Sequence, residues 1–270
     1  MMTPLQFTSA DGTPLRGARW GGADRDVLLV HGLAEHVGRY GHVADALVSA
    51  GWRVTFVELR GHGQSGGRRG HVERWSRYTD DVAAAAASIG RPFVLVAHSM
   101  GGLVALDAVR AGLPTRCRAL ALSNPLLGTA FPPPKVKLAA ARVLTRLLPA
   151  LPLRNELDTR LISRDAEVVR AYEADPLVFN TITPRWGTEM LAAQARVKAA
   201  ASAQRIPLRM MVSDKDGICD HEAGLALAKA WGGPAQTALY PGLYHELFNE
   251  PEKARVLADL VAWLDTLDLG

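Results

Sequence analysis

The sequence of 270 residues holds only two cysteines, Cys117 and Cys219, too few for a disulfide framework. Their scarcity suits a reducing compartment. Long apolar runs are missing as well, since none reaches the about 18 residues that a membrane-spanning helix needs. The strongest candidate, Lys135 to Leu153, is interrupted by Arg142, Arg146, Pro149 and Pro152. Met1 to Leu15 has no basic start and no apolar stretch ahead of a cleavage site, so no export signal is expected and the cytoplasm is the expected location. No excess of one charge stands out: 31 basic residues, 25 of them arginine and scattered, face 27 acidic ones. A net charge of +4 spread this thinly argues against a nucleic-acid partner. The densest cluster, Arg68, Arg69, Arg74 and Arg77, reads as a solvated face. Glycine and proline lack periodic spacing, and 48% of the residues are hydrophobic, which excludes a fibrous repeat and disorder.

What is present is an alternation of short Val-, Leu- and Phe-rich runs with helical patterns. That is the signature of an α/β protein whose mostly parallel central sheet carries helices on both faces. Leu5 to Ser9 and Leu15 to Trp20, joined by Asp11-Gly12, predict an antiparallel edge at the amino terminus. Apolar strands are predicted at 27–30, 52–59, 93–97, 119–122, 208–212 and 237–240. Helices over 40–50 and 102–111 stop at Gly51 and Gly112, and a last helix covers roughly 251–267. From Leu126 to about Arg205 the strand signal disappears behind Phe131-Pro132-Pro133-Pro134. The expected organisation is therefore a core of residues 1–125 and 206–270 with a helical cap, 126–205, inserted between them. At 100° per residue, Val136, Ala140, Val143, Leu144, Leu147 and Leu151 share one helical face, with Lys135, Arg142 and Arg146 opposite. That face either packs on the body as a lid or also meets a lipid surface from the water side.

After the strand at 93–97 comes His98-Ser99-Met100-Gly101-Gly102, leading directly into a helix. A serine on so sharp a strand-to-helix turn is a nucleophile elbow. Its strained backbone demands small residues two positions to either side, and Ala97 and Gly101 meet that demand. The turn exposes the hydroxyl and aims the Met100 N–H at a developing oxyanion. A second donor is expected at Leu33, whose loop, His31-Gly32-Leu33-Ala34-Glu35-His36, turns at Gly32. Serine needs a base to take its proton and a carboxylate to orient that base. His245, after the last strand, is the candidate base; His98 is expected to point to the other side of the sheet and His221 to start a helix. Asp214, Asp216 and Asp220 all lie in the loop after 208–212, and loop position alone does not choose among them. Glu35 and Arg39 either hold the first loop or bind a polar head group. Gly61-His62-Gly63-Gln64-Ser65-Gly66 has the spacing of a dinucleotide fingerprint, but Gly67 to Gly70 continue the loop where a helix is required. No histidine pair has helical spacing with a third ligand nearby, so no metal or organic cofactor is expected.

With those residues in place, the chain resembles the monoacylglycerol lipases and lysophospholipase-like proteins of the serine α/β-hydrolase superfamily. The resemblance runs almost end to end, through His31 to His36 with Arg39-Tyr40, Arg60 to Ser65, His98 to Gly102, Leu161 to Asp165, Asp175 to Val178 and Tyr240 to Glu250. It implies the α/β-hydrolase fold, a bacterial esterase, and a monoacylglycerol or similar single-chain lipid as substrate, with its acyl chain under the cap. It also implies Asp216 as the acid, because Asp216-Gly217-Ile218-Cys219-Asp220 matches the segment that begins with the family's catalytic aspartate, with Asp214 as runner-up. Cys219 is placed either against the substrate or as a small buried residue. Two departures are noted. Glu58 stands where many relatives have aspartate, and Phe248 stands where mammalian members have a second histidine near the glycerol head. The substrate class expected is a monoacylglycerol or similar ester, with lysophospholipids, short esters and a non-catalytic ligand-binding role as the alternatives.

Overall fold

The computed structural model describes residues 2–113, 116–131 and 134–269; Pro132 and Pro133 of the proline-rich opening, and the side chains of Lys135, Lys137 and Leu138, lie outside the described residues. The chain begins with β1 (Met2–Thr8), β2 (Pro14–Trp20), β3 (Arg25–Val30), α1 (Gly41–Ser49) and β4 (Trp52–Val57). It continues through α2 (Ser76–Ala87), β5 (Phe93–His98), α3 (Met100–Arg110) and β6 (Cys117–Ser123). Next come α4 (Lys135–Leu147), β7 (Leu153–Arg154), α5 (Ala166–Ala174), β8 (Thr181–Ile182) and α6 (Pro184–Ala199). The chain closes with β9 (Leu208–Val212), α7 (His221–Ala230), β10 (Ala235–Leu239) and α8 (Lys253–Leu264).

Eight strands form one sheet in the order β1-β2-β4-β3-β5-β6-β9-β10. β1 pairs antiparallel with β2, and β2 antiparallel with β4, so the expected antiparallel edge is present; the remaining neighbours are parallel. β5 is buried along its whole length, as a central strand covered on both faces must be. Alternate residues of β3 and β5 go to opposite faces. Leu28, Val30 and Leu95 join the core under α2, α3 and α7, while Val27, Leu29, Val94 and Val96 join the one under α1 and α8. This is the α/β-hydrolase fold with helices inserted between β6 and β9.

The inserted stretch departs from expectation in two ways. It contains a short antiparallel pair, Leu153 with Ile182 and Arg154 with Thr181, too brief to leave an alternating pattern in the sequence. And the apolar stripe of α4 does not pack on the body. Val136, Val143 and Leu147 are 74%, 57% and 71% exposed. The edge that faces inward is Ala141, Leu144 and Thr145, with the Thr145 hydroxyl 3.3 Å from that of Thr188 on α6. The correction is one of rotation: Thr145 meets α6 with Ala141 and Leu144 beside it, and Val136, Val143 and Leu147 meet water.

Candidate active site

Every group of the candidate site sits beyond the carboxyl ends of parallel strands, where a parallel sheet gathers its loops. Ser99 joins β5 to α3 with φ 52° and ψ −120°, a conformation that side chains rarely adopt. The room for it comes from Gly101, where a Cβ would lie 2.3 Å from the His31 carbonyl oxygen. Met100 opens α3, so its N–H belongs to the first turn, whose amides have no intrahelical acceptor. Gly32 brings the loop after β3 against the same point, since a Cβ there would stand 3.1 Å from the Ser99 Cβ. Leu33 follows it, half-buried.

The Ser99 Oγ lies 2.9 Å from His245 Nε2, and His245 Nδ1 lies 2.8 Å from Asp216 Oδ2. The other Asp216 oxygen accepts the backbone N–H groups of Ile218 and Cys219 at 2.8 and 2.9 Å, so the carboxylate is fixed from both sides. Burial opposes a charged imidazole, but the Asp216 carboxylate, with Glu246 and Glu35 adding to it, outweighs burial and raises the His245 pKa above the ordinary histidine value. The two rival aspartates are otherwise occupied. Asp214 accepts the Gly242 N–H at 2.7 Å, and Asp220 caps α7 through the Glu222 N–H, with His221 starting that helix as expected. His98 does not turn away from the site. Its ring centroid is 4.7 Å from that of His245, because the histidine loop folds over the end of β5, and burial with the neighbouring imidazole lowers its pKa to about 4.

The remaining sequence candidates fall behind or beside this centre. The Glu35 carboxylate accepts from the Gly32 N–H and the Tyr40 hydroxyl, both at 2.7 Å, and pairs with Arg39. Burial alone would raise its pKa; Arg39 reverses that and holds the group at about 2. Arg39 in turn grips Glu246 through two hydrogen bonds of 2.7 and 2.8 Å and stacks over Tyr172 at 4.7 Å. Phe248 is buried in the core beside Tyr40 and Leu243, and only its carbonyl is engaged, by His42. Cys219 is buried 4.0 Å behind the Ser99 hydroxyl. A cavity of about 540 Å³ opens over Ser99 and His245, walled by Leu33, Leu126, Phe131, Leu157, Leu161, Ile162, Tyr172, Ile182, Trp186, Met190 and Ile218. Glu35 reaches its wall; Arg39, Cys219 and Phe248 do not. Glu58 serves the loops, accepting from Val37 and Gln64.

Two contributors escaped the sequence reading. Glu246 adjoins His245 but shows itself only through Arg39, 207 positions earlier. Asn124, at φ 41°, donates to the His245 carbonyl at 2.7 Å and accepts from the Ser213 N–H at 3.0 Å, tying the acid and base loops together. Its signal was the Asn124-Pro125 turn at the end of a strand. Among the described residues, Asp216, Cys219 and His245 are the one group whose ligand atoms converge, within 4.8 Å. Burial raises the Cys219 thiol well above its usual value, and the Asp216 and His245 atoms of this set are the ones joined by the 2.8 Å hydrogen bond.

A family model described as "Serine aminopeptidase, S33" matches residues 21–252. The monoacylglycerol lipase of Mycolicibacterium smegmatis is 36% identical over 245 residues, which cover 88% of this chain and 87% of that protein. The chain belongs to the monoacylglycerol lipase and lysophospholipase-like family of serine α/β-hydrolases. Another relative of this hydrolase is a phospholipase of Bacillus subtilis, 30% identical over 90% of this chain and 97% of its own length. The crystal structure of the Paleococcus ferrophilus monoacylglycerol lipase superposes on the hydrolase with a TM-score of 0.87 at 32% identity, covering 93% of this chain and 98% of that one.

Proposed function

We propose that this hydrolase cleaves monoacylglycerols or similar single-chain acyl esters to a fatty acid and an alcohol. The observation that carries the reading is a hydrogen-bonded Ser99–His245–Asp216 array at the foot of an apolar cavity of about 540 Å³. Ser99 attacks the ester carbonyl while His245 takes its proton, and Asp216 keeps the imidazole oriented and offsets its charge. The Leu33 and Met100 N–H groups receive the oxyanion. The tetrahedral intermediate collapses as His245 returns the proton to the leaving alcohol. Water, deprotonated by the same histidine, then releases the acid from the acyl-enzyme. Beyond that water, each step uses side chains and backbone amides of this chain.

The acyl chain lies along the apolar walls, under a cap made of residues 126–205 over a core of 1–125 and 206–270. Glu35 acts through the loop it anchors, because its oxygens already hold Gly32, Arg39 and Tyr40. The exposed stripe of α4 supports a peripheral contact with lipid, in a protein working in the cytoplasm. No helix among the described residues is long and apolar enough to cross a membrane.

The test is a hydrolysis panel of monoacylglycerols, lysophosphatidylcholine, triacylglycerols, p-nitrophenyl esters of increasing length and an aminoacyl anilide, together with fluorophosphonate labelling. Turnover is expected to be highest for long-chain monoacylglycerols, with labelling lost in Ser99→Ala. A preference for acetyl esters would overturn the substrate class, release of aniline alone would favour the peptidase chemistry of the family's descriptive name, and failure to label folded protein would overturn the hydrolase reading.

A further inference from the structure

β6 contributes no group to the Ser99–His245–Asp216 array, yet the turn at its end touches every loop that does. Ser123 ends the strand, and its carbonyl accepts the Ser99 N–H at 3.0 Å. Three residues on, the Leu126 N–H donates to the Ser99 carbonyl at 2.9 Å, so this one turn grips the nucleophile's backbone on both sides. Between the two grips stand Asn124 and Pro125. Pro125 closes against the start of α3, where a Cβ on Gly102 would meet its ring at 2.7 Å.

Asn124 reaches from that turn to the other two loops. Its side-chain amide donates to the His245 carbonyl at 2.7 Å and to the Ser213 hydroxyl at 3.2 Å, with the Tyr244 carbonyl at 3.4 Å. Its Oδ1 accepts the Ser213 N–H at 3.0 Å, at the start of the loop that carries Asp216, and its own N–H donates to the Met211 carbonyl at 2.8 Å. The Ser213 hydroxyl also donates to the Tyr244 carbonyl at 3.0 Å, so the acid and base loops touch directly. Asn124 ties both of them to the turn that holds Ser99. The residue is buried and does not line the cavity. Its backbone, at φ 41°, is left-handed, a conformation that asparagine tolerates better than most side chains but that still costs free energy. A strained residue whose amide is bonded at both ends, this close to reacting groups, points to a role in their placement.

We propose that Asn124 is a positioning residue for hydrolysis, setting the His245 ring against both the Ser99 hydroxyl and the Asp216 carboxylate through the backbones of their loops. It touches neither substrate nor a reacting atom. The inference rests on the triad reading of the site and adds a residue outside the triad on which the alignment depends. His245 meets Ser99 through one hydrogen bond of 2.9 Å, and a shift of about 1 Å at such a contact can cost about 10²-fold in rate. The side chain suits the task because an amide offers a donor and an acceptor from one rigid group, the donor for the base loop and the acceptor for the acid loop. Alanine keeps neither bond. Glycine keeps neither as well, but it takes the left-handed backbone without strain.

The experiment compares wild type with Asn124→Ala and Asn124→Gly on a short p-nitrophenyl ester, with pH profiles and thermal melts alongside. Both variants are expected to lower kcat by about 10²-fold while KM stays within about twofold of wild type. An equal loss in Asn124→Gly excludes backbone strain as the cause. The pH profile separates alignment from stability. Against burial, the Asp216 charge and hydrogen bond raise the His245 pKa, so a loosened pair lets it fall and moves the acid limb of kcat/KM to lower pH. A residue that merely stabilised the fold would leave that limb in place. In an Asp216→Asn background, Asn124→Ala should lower kcat by less than about threefold, because the alignment it protects is already lost. Asn124→Gly with kcat within about threefold of wild type, an unmoved acid limb, or full additivity with Asp216→Asn would each overturn the proposal and leave the esterase standing. Absence of both ester turnover and fluorophosphonate labelling in wild type would instead defeat the reading of the site. Failure of both variants to fold would also overturn the proposal, since Asn124 would then serve the core rather than the reaction.

Discussion

Arg39 holds two buried carboxylates, Glu35 and Glu246, and so leaves one negative charge in excess close to His245. Both carboxylates add to the Asp216 charge in raising the His245 pKa, while the neighbouring His98 is held neutral near physiological pH. The proposed mechanism requires a neutral His245, so the acid limb of kcat/KM is expected above the ordinary imidazole value of about 6.5. Glu246→Gln removes one anion and should move that limb to lower pH, with a stability loss of roughly 2 kcal/mol for a lost charged hydrogen bond. Asn249→Ala also removes a hydrogen bond to Glu246 but no charge, and its pH–rate profile should stay where it is. Asp216→Asn should lower kcat by about 10⁴ through the wrong imidazole tautomer, measurable against a short p-nitrophenyl ester. At this scale Ser99 and His245 were legible, because a strand-turn-helix pattern and a loop after the last strand are local signals. The choice of Asp216 over Asp214 and Asp220 rested on family resemblance. Chain position alone does not tell which aspartate turns toward the imidazole and which takes the Gly242 amide or caps α7.

Among the elements, α3 and α4 both turn small residues toward a neighbour. At the start of α3, Gly101 lets the helix close against β3 with no room for a methyl group. Gly101→Ala should cost about 3 kcal/mol through overpacking, seen as a lower denaturation midpoint, with weaker fluorophosphonate labelling of the protein that remains folded. In α4 Leu144 sits inward with Ala141 and Thr145, so Leu144→Glu should lower the melting temperature. Leu147→Glu should shift stability by no more than about 0.5 kcal/mol, as surface changes do. Equal losses in thermal melts would mean that both leucines are packed. The periodicity of α4 announced an amphipathic helix but not which way it faces. That depends on α6, whose Thr188 lies opposite Thr145, and no local pattern carries such a pairing. The central strands, by contrast, were legible because a parallel sheet buried on both faces writes itself as unbroken apolar runs.

At the scale of the molecule, the insertion is fastened to the body by charged and polar ties. His36 Nε2 lies 2.7 Å from Asp175 Oδ2, linking the loop after β3 to the segment after α5. Arg164 binds Glu250 near the histidine loop, and His71 meets Thr183 at 2.9 Å. Asp175→Asn should speed amide hydrogen exchange across residues 155–183 and leave the amides of β3, β5 and β6 as protected as before. Unchanged exchange in the insertion would show that this tie does not limit its opening. A gap in the strand rhythm of the sequence marks the stretch between β6 and β9 that holds the inserted helices; its fastenings leave no such mark, because each joins residues distant in the chain. The same layout separates the reacting groups along the chain, with Ser99 ahead of the insertion and Asp216 and His245 behind it. During synthesis the serine therefore leaves the ribosome long before its base does. A fragment released early carries a nucleophile that nothing can deprotonate, so only a chain completed through its last strand and the loop after it gains the power to cut an ester.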